Sequence, residues 1–153
     1  MNLFWYENAN FRGTPLEKIL IHHLSEGKVN LQIVYWILSS IARRSTLLTY
    51  TDLSEAYHDE TDEWHEPQGS WDQPLGQLNM QLHAAGWPPL SAVVVLRAPD
   101  GGFGQPGGRF WQSSPNVPAR PANVTDRTME WARLLEQVYQ RQWPATLPVG
   151  QAP

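Results

Sequence analysis

Nine consecutive positions, 58 to 66 at the start of "HDETDEWHEPQGSW", hold five carboxylates and two histidines, with no Lys or Arg among them. Three kinds of chemistry suit such a segment. His58 and His65 are seven apart, two turns if helical, and Asp62 lies at a helical step from each, so a His and carboxylate metal site is geometrically allowed. The spacing matches no metal-binding signature. Alternatively, Glu60, Asp62, Glu63 and Glu66 form a solvated acidic loop that docks a basic partner, with Trp64 and Trp71 as its apolar anchors. The plainest alternative is that the two tryptophans fold the loop onto the domain and leave the acids in water.

A catalytic reading needs a nucleophile beside a base, and the chain offers only scattered candidates: Ser91, Ser113, Ser114 and five histidines. His22 and His23 read as polar-face residues of a helix rather than ligands. There is no cysteine, which excludes thiolate zinc sites, disulfides and cysteine nucleophiles. "DGGFGQPGGRF" is rich in glycine but carries no phosphate-loop lysine and leads into no helix, so no cofactor is expected.

Charge is unevenly placed. From Asp52 to Asp72 lie eight of the fifteen acids and no base, while the remaining chain carries seven acids and eleven bases. Such polarity steers partners even though the net charge is only −4. The longest apolar run, "LSAVVVL" at 90–96, is too short to span a bilayer, and the amino terminus has no basic-then-apolar pattern. A cytoplasmic protein without membrane association is expected.

The elements that position these groups follow from periodicity and end signals. "TPLE" starts a helix, with Thr14 as cap, Pro15 in the first turn and Glu17 completing a capping box; it ends near Gly27. A second helix runs from about Asn30 to Arg44 with Val34, Ile37, Leu38 and Ile41 on one face. A short strand, Thr46 to Tyr50, leads to a helix capped by Thr51, and another helix covers Gln73 to Ala85 until "GWPPL" stops it. Residues 90–96 read as a buried strand, 98–108 as a flexible turn, and "RFWQS" from Arg109 as the returning strand. Three prolines make 113–123 an extended connection. The final helix, 124–143, is capped by Thr125 or Asp126 and buries Met129, Ala132, Leu135, Tyr139 and Trp143, before a tail expected to fray.

This α+β order, helix, short strand, two helices and a hairpin with a glycine-rich tip, is that of a winged helix-turn-helix over about 30–112. It lies within a single domain, 1–153, whose additions are an aromatic arm and helix (1–29), the proline-rich connection and the last helix. "TYTDLSEAY", "PLGQLNMQL" and "PPLSAVVVLRAPDGGFGQPGG" resemble the helix opening, recognition helix, and strand and wing of the DNA-binding domain of alkyltransferase-like proteins. They are also similar to small prokaryotic proteins often seen beside phage-defence genes. The resemblance implies DNA contact by the recognition helix, 73–85, and the wing, where Gln77, Asn79 and Gln81 are suited to read base edges and Arg97 and Arg109 to meet the DNA.

The departures shift that expectation. Where the alkyltransferases carry a reactive cysteine followed by His and Arg, this chain has Leu90, Ser91 and Ala92, so alkyl transfer to the protein is excluded. Residues 73–85 contain no Lys or Arg, and cations supply most non-specific affinity for DNA. The sequence therefore favours a non-catalytic winged-helix protein that binds a protein partner with a basic surface, within a nucleic-acid-handling or phage-defence assembly. The partner surface would be the acidic loop with Trp64 and Trp71, joined by Trp5 and Tyr6 of the aromatic arm. A sequence-specific DNA-binding regulator and a small metal-dependent enzyme built on His58, Asp62 and His65 are the alternatives.

Overall fold

The computed structural model describes residues 29–149. The helix expected from Thr14, and Trp5 and Tyr6 of the aromatic arm, lie outside them. The described residues form four helices and a small two-stranded sheet, a mixed α and β architecture.

Helix α1, Leu31–Arg43, begins where the Asn30 side chain accepts hydrogen bonds from the Gln32 and Ile33 amides at 2.9 and 3.2 Å. The residues from Ile33 to Ala42 are all buried, so the single apolar face read from the sequence understates the packing of this helix. A helix apolar all round belongs in the middle of a core. Its two buried serines cost little, because Ser39 and Ser40 donate their hydroxyls back to the Trp36 carbonyl.

Strand β1, Leu48–Thr49, pairs in parallel with β2, Val94–Val95, placing Leu48 opposite Val94 and Thr49 opposite Val95. Helix α2, Tyr50–Thr61, starts one residue after β1. Its cap is Thr49 rather than the expected Thr51: Thr49 Oγ1 accepts from the Asp52 amide while the Asp52 carboxylate accepts from the Thr49 amide. A reciprocal pair of this kind satisfies two otherwise orphaned donors, which fixes the start two residues early.

Helix α3, Asp72–Ala84, matches the expected element, and the chain leaves it through Gly86 in a left-handed turn. The expected strand 90–96 is shorter than read: Leu90–Val93 form a 3₁₀ turn and only Val94–Val95 are strand. The hairpin is tighter too. Arg97 bridges Phe103, and Leu96 exchanges hydrogen bonds with Gln105 and Gly104 at 2.8 and 2.7 Å. Gly104 is required there, since a Cβ would sit 2.8 Å from the Leu96 carbonyl oxygen. No strand returns at Arg109; Gly108–Phe110 is a 3₁₀ turn, and its Phe110 is buried.

Helix α4, Val124–Gln140, is capped by Asn123, whose side chain accepts from the Asp126 amide at 2.7 Å, and not by Thr125 or Asp126. Its buried face matches the expected one only in part: Leu135 and Tyr139 pack partly buried against the core, and Trp143 beyond the helix is buried. Met129 is 67% exposed and Ala132 is exposed, whereas Leu134 and Val138 are buried and Trp131 packs beside them. Two overlapping three-and-four-residue series run through this helix. The one carrying Trp131 lies inward, where its indole N–H reaches the Ala92 carbonyl at 2.9 Å.

The tail expected to fray is docked through Leu147. Trp143 and Leu147 are buried, the Tyr35 hydroxyl donates to the Pro144 carbonyl at 2.5 Å, and the Leu147 amide donates to the Gln32 side chain at 3.1 Å. Arg43 at the end of α1 donates to the carbonyls of Trp143 and Pro144. The strap thus crosses α1 and closes one side of the core.

Candidate partner-binding surface

The acidic segment is half helix and half loop. Helix α2 carries it as far as Thr61; Asp62 then takes a left-handed conformation, φ 60°, and its amide donates to the His58 carbonyl at 2.8 Å. From there the chain loops back to α3 through a turn at Pro67–Ser70 in which Ser70 Oγ donates to the Glu66 carbonyl.

What holds this loop down is Ser54 on the buried side of α2. Its hydroxyl donates to the His65 carbonyl at 2.6 Å and accepts from the Trp71 indole N–H at 2.8 Å. The His65 ring packs on Tyr57 and Trp71, with centroids 5.2 and 5.3 Å apart, and its Nε2 lies 3.4 Å from a Glu63 carboxylate oxygen. Burial of the Tyr57 ring pushes its hydroxyl pKa up to about 12, while that oxygen accepts from the Asn30 amide at 2.8 Å.

The two tryptophans expected on the partner surface therefore part company. Trp71 is fully buried and anchors the loop from within; it is not available to a partner. Trp64 is 49% exposed, its indole N–H donating to Glu66 at 3.1 Å and its ring standing edge-on to His58 at 6.1 Å. Around it Asp62 and Glu66 are exposed, while Glu60 and Glu63 are partly buried. Apolar body and acidic rim are thus side by side on one outward face.

His58, Asp62 and His65 do not converge. His65 turns inward onto two aromatic rings while His58 stays outside with Trp64, and among the described residues no group of three or more His, Asp or Glu is arranged to hold a metal ion. Ser91, Ser113 and Ser114 find no base either: Ser91 and Ser113 accept from the Asn79 amide, and Ser114 bonds to Asn116.

On α3, Gln77 and Gln81 are exposed beside Met80, which is half-exposed. Asn79, expected among the base-reading residues, is instead fully buried, and its side-chain amide is used up inside the protein. The helix itself carries no Lys or Arg, and Asp72 stands at its amino-terminal end. Arg97 and Arg109 are exposed but come from the hairpin and the following 3₁₀ turn rather than from α3, Arg109 standing beside Asp72, Leu75 and Gly76 at the start of that helix. Phe103 at the hairpin tip is also outward.

One cleft was not anticipated from local spacing. It has a volume of about 490 Å³ and lies between the start of α2, the Pro67–Gly69 turn and the hairpin. Tyr50 and Gly107 form its inner wall, the Gly107 amide donating to the Tyr50 hydroxyl at 3.0 Å. These residues are 57 apart in the chain, so no sequence periodicity links them.

No helix among the described residues is long and apolar enough to cross a membrane. No protein-family model, no curated protein and no solved structure matches the chain.

Proposed function

We propose that this protein is a non-catalytic binding protein that docks a basic protein surface on its α2–α3 loop. The carrying observation is the outward Trp64 set among exposed Asp62 and Glu66, in a stretch from Asp52 to Asp72 without a single Lys or Arg. A half-exposed indole supplies apolar contact and the acids supply attraction and register, the division of labour found at protein interfaces. The order of elements is read as a winged helix-turn-helix, which together with the resemblance noted above suggests work within a nucleic-acid-handling or phage-defence assembly.

The test uses the full-length chain as bait in its native host. The double variant Trp64→Ser, Glu66→Lys should lose the captured partner while melting within about 2 °C of wild type, since surface changes cost little stability. Binding by the wild type should weaken as salt rises. Retention of the same partner by the double variant would end this choice of surface.

Sequence-specific DNA reading is the second interpretation, favoured by the outward Gln77 and Gln81. Weighing against it are the absence of cations on α3 and the burial of Asn79. It requires a mobility shift that disappears steeply with salt.

A further inference from the structure

The cleft between α2 and the hairpin combines features that the acidic-loop reading does not use. Its apolar lining is the half-exposed Leu96, which follows β2 and covers the fully buried Val95. Its rim carries Arg97 and Arg109 with Asp72 facing them from the start of α3. Arg97 spends one donor on the Gly101 carbonyl at 3.0 Å, but among the described residues no hydrogen bond or ion pair engages Arg109. Guanidinium groups present several donors in a planar fork, so both retain capacity for an anion.

The inner wall adds two kinds of donor. Tyr50 and Thr51 occupy the first turn of α2, where backbone N–H groups have no intrahelical acceptor. The Tyr50 hydroxyl already accepts from Gly107, and it donates its own proton to no group among the described residues. Burial raises its pKa, so the hydroxyl keeps that proton through the neutral range. Gly107 keeps the wall close, because a Cβ there would come 3.0 Å from the Tyr50 oxygen and push that side chain back by a few tenths of an ångström.

We infer that this cleft binds a carboxylate carried on an apolar body, the anion held by Arg97 and Arg109 and the body lying on Leu96. The charge count selects carboxylate over phosphate. Two guanidiniums and one carboxylate leave the lining one positive charge, which a monoanion neutralises. A phosphate monoester, with about −1.5 to −2 charges at neutral pH, leaves uncompensated repulsion beside Asp72. The volume suits a ligand of amino-acid to dipeptide size. Either a protein carboxy terminus or a free small acid satisfies this chemistry, and the site stands whether or not the acidic loop binds a partner.

The experiment is a titration of the isotope-labelled full-length protein with N-acetyl-phenylalanine, its amide, and inorganic phosphate, followed by amide NMR shifts. The acid should saturate shifts at Thr51, Arg97 and Gly107 with a dissociation constant on the order of 1 mM. The amide and phosphate should bind roughly tenfold more weakly or not at all, the scale of one charge-assisted hydrogen bond. Arg109→Gln should weaken the acid by a similar factor with the melting temperature unchanged, and Asp72→Asn should improve phosphate. A heptapeptide ending in free phenylalanine distinguishes the sources: tighter binding than the acetylated acid assigns the site to a protein terminus, equal binding to a free acid. Equal affinity for acid and amide, undiminished acid binding in Arg97→Gln, Arg109→Gln, or no shifts in the cleft would overturn the assignment. Loss of the native partner in the Trp64 and Glu66 variant leaves these shifts in place.

Discussion

Asn79 and Ser91 hold each other twice: the Ser91 amide donates to Asn79 Oδ1 at 3.2 Å, and Asn79 Nδ2 donates to Ser91 Oγ at 2.7 Å. The same nitrogen reaches Ser113 Oγ at 2.8 Å, so one buried side chain ties α3 to the turn before β2 and to the proline-rich connection. Asn79→Ala leaves the Ser91 amide buried without an acceptor and should cost about 2–3 kcal/mol, read as a lower denaturation midpoint. Gln77→Ala, two residues away on the outer face, should stay within about 0.5 kcal/mol. Equal effects at the two positions would contradict the packing of α3.

Trp64 and Trp71 should separate in the same way. Trp71→Ala empties the core and removes the indole bond to Ser54, for a loss of about 3–5 kcal/mol in chemical denaturation. Trp64→Ala should leave stability nearly unchanged and lower only partner retention.

Helix starts offer a sharper comparison, because the residues at issue are near neighbours. Thr49→Ala and Asn123→Ala each remove a side-chain acceptor from a helix start and should cost about 1 kcal/mol. Thr51→Ala and Thr125→Ala should cost less than half of that, measured by thermal unfolding.

Alkaline unfolding reports the buried tyrosines. Burial raises Tyr35, Tyr57 and Tyr139 to about 12, above the usual 10 of an exposed phenol. The folded state therefore holds these protons more tightly than the unfolded chain. The stability this confers is complete below pH 10 and is lost as pH rises from 10 through 12. Absorbance of tyrosinate should rise together with loss of helical circular dichroism in that window, and Tyr35→Phe should make the loss less steep.

The docked strap predicts that truncation after Gln142, which removes Trp143 and Leu147, destabilises the protein by more than about 3 kcal/mol. A frayed tail would give no change, so a denaturation curve on the truncated chain decides between them.

Much of the scaffold was legible from local signals. Three-to-four periodicity and end signals placed α1 and α3 to within a residue or two and the start of α2 two residues late, because stripes and helix ends depend on neighbours in the chain. Composition alone removed thiol chemistry and set the acidic polarity of 52–72. Which residues of α4 lie deepest was not legible, since two apolar series compete on it and contact with Ala92 and the core places Trp131, Leu134 and Val138 innermost. Nor could the sequence say that Trp71 goes in and Trp64 out, for both flank the same acidic run and Ser54, which decides it, lies on the preceding helix. The strap, the Asn79 node and the cleft all join residues far apart in sequence. Sequence determined where the helices form, a short-range property; tertiary structure decided how little of 90–96 and 109–113 becomes strand and which groups face solvent, because pairing and burial depend on partners that only folding brings near.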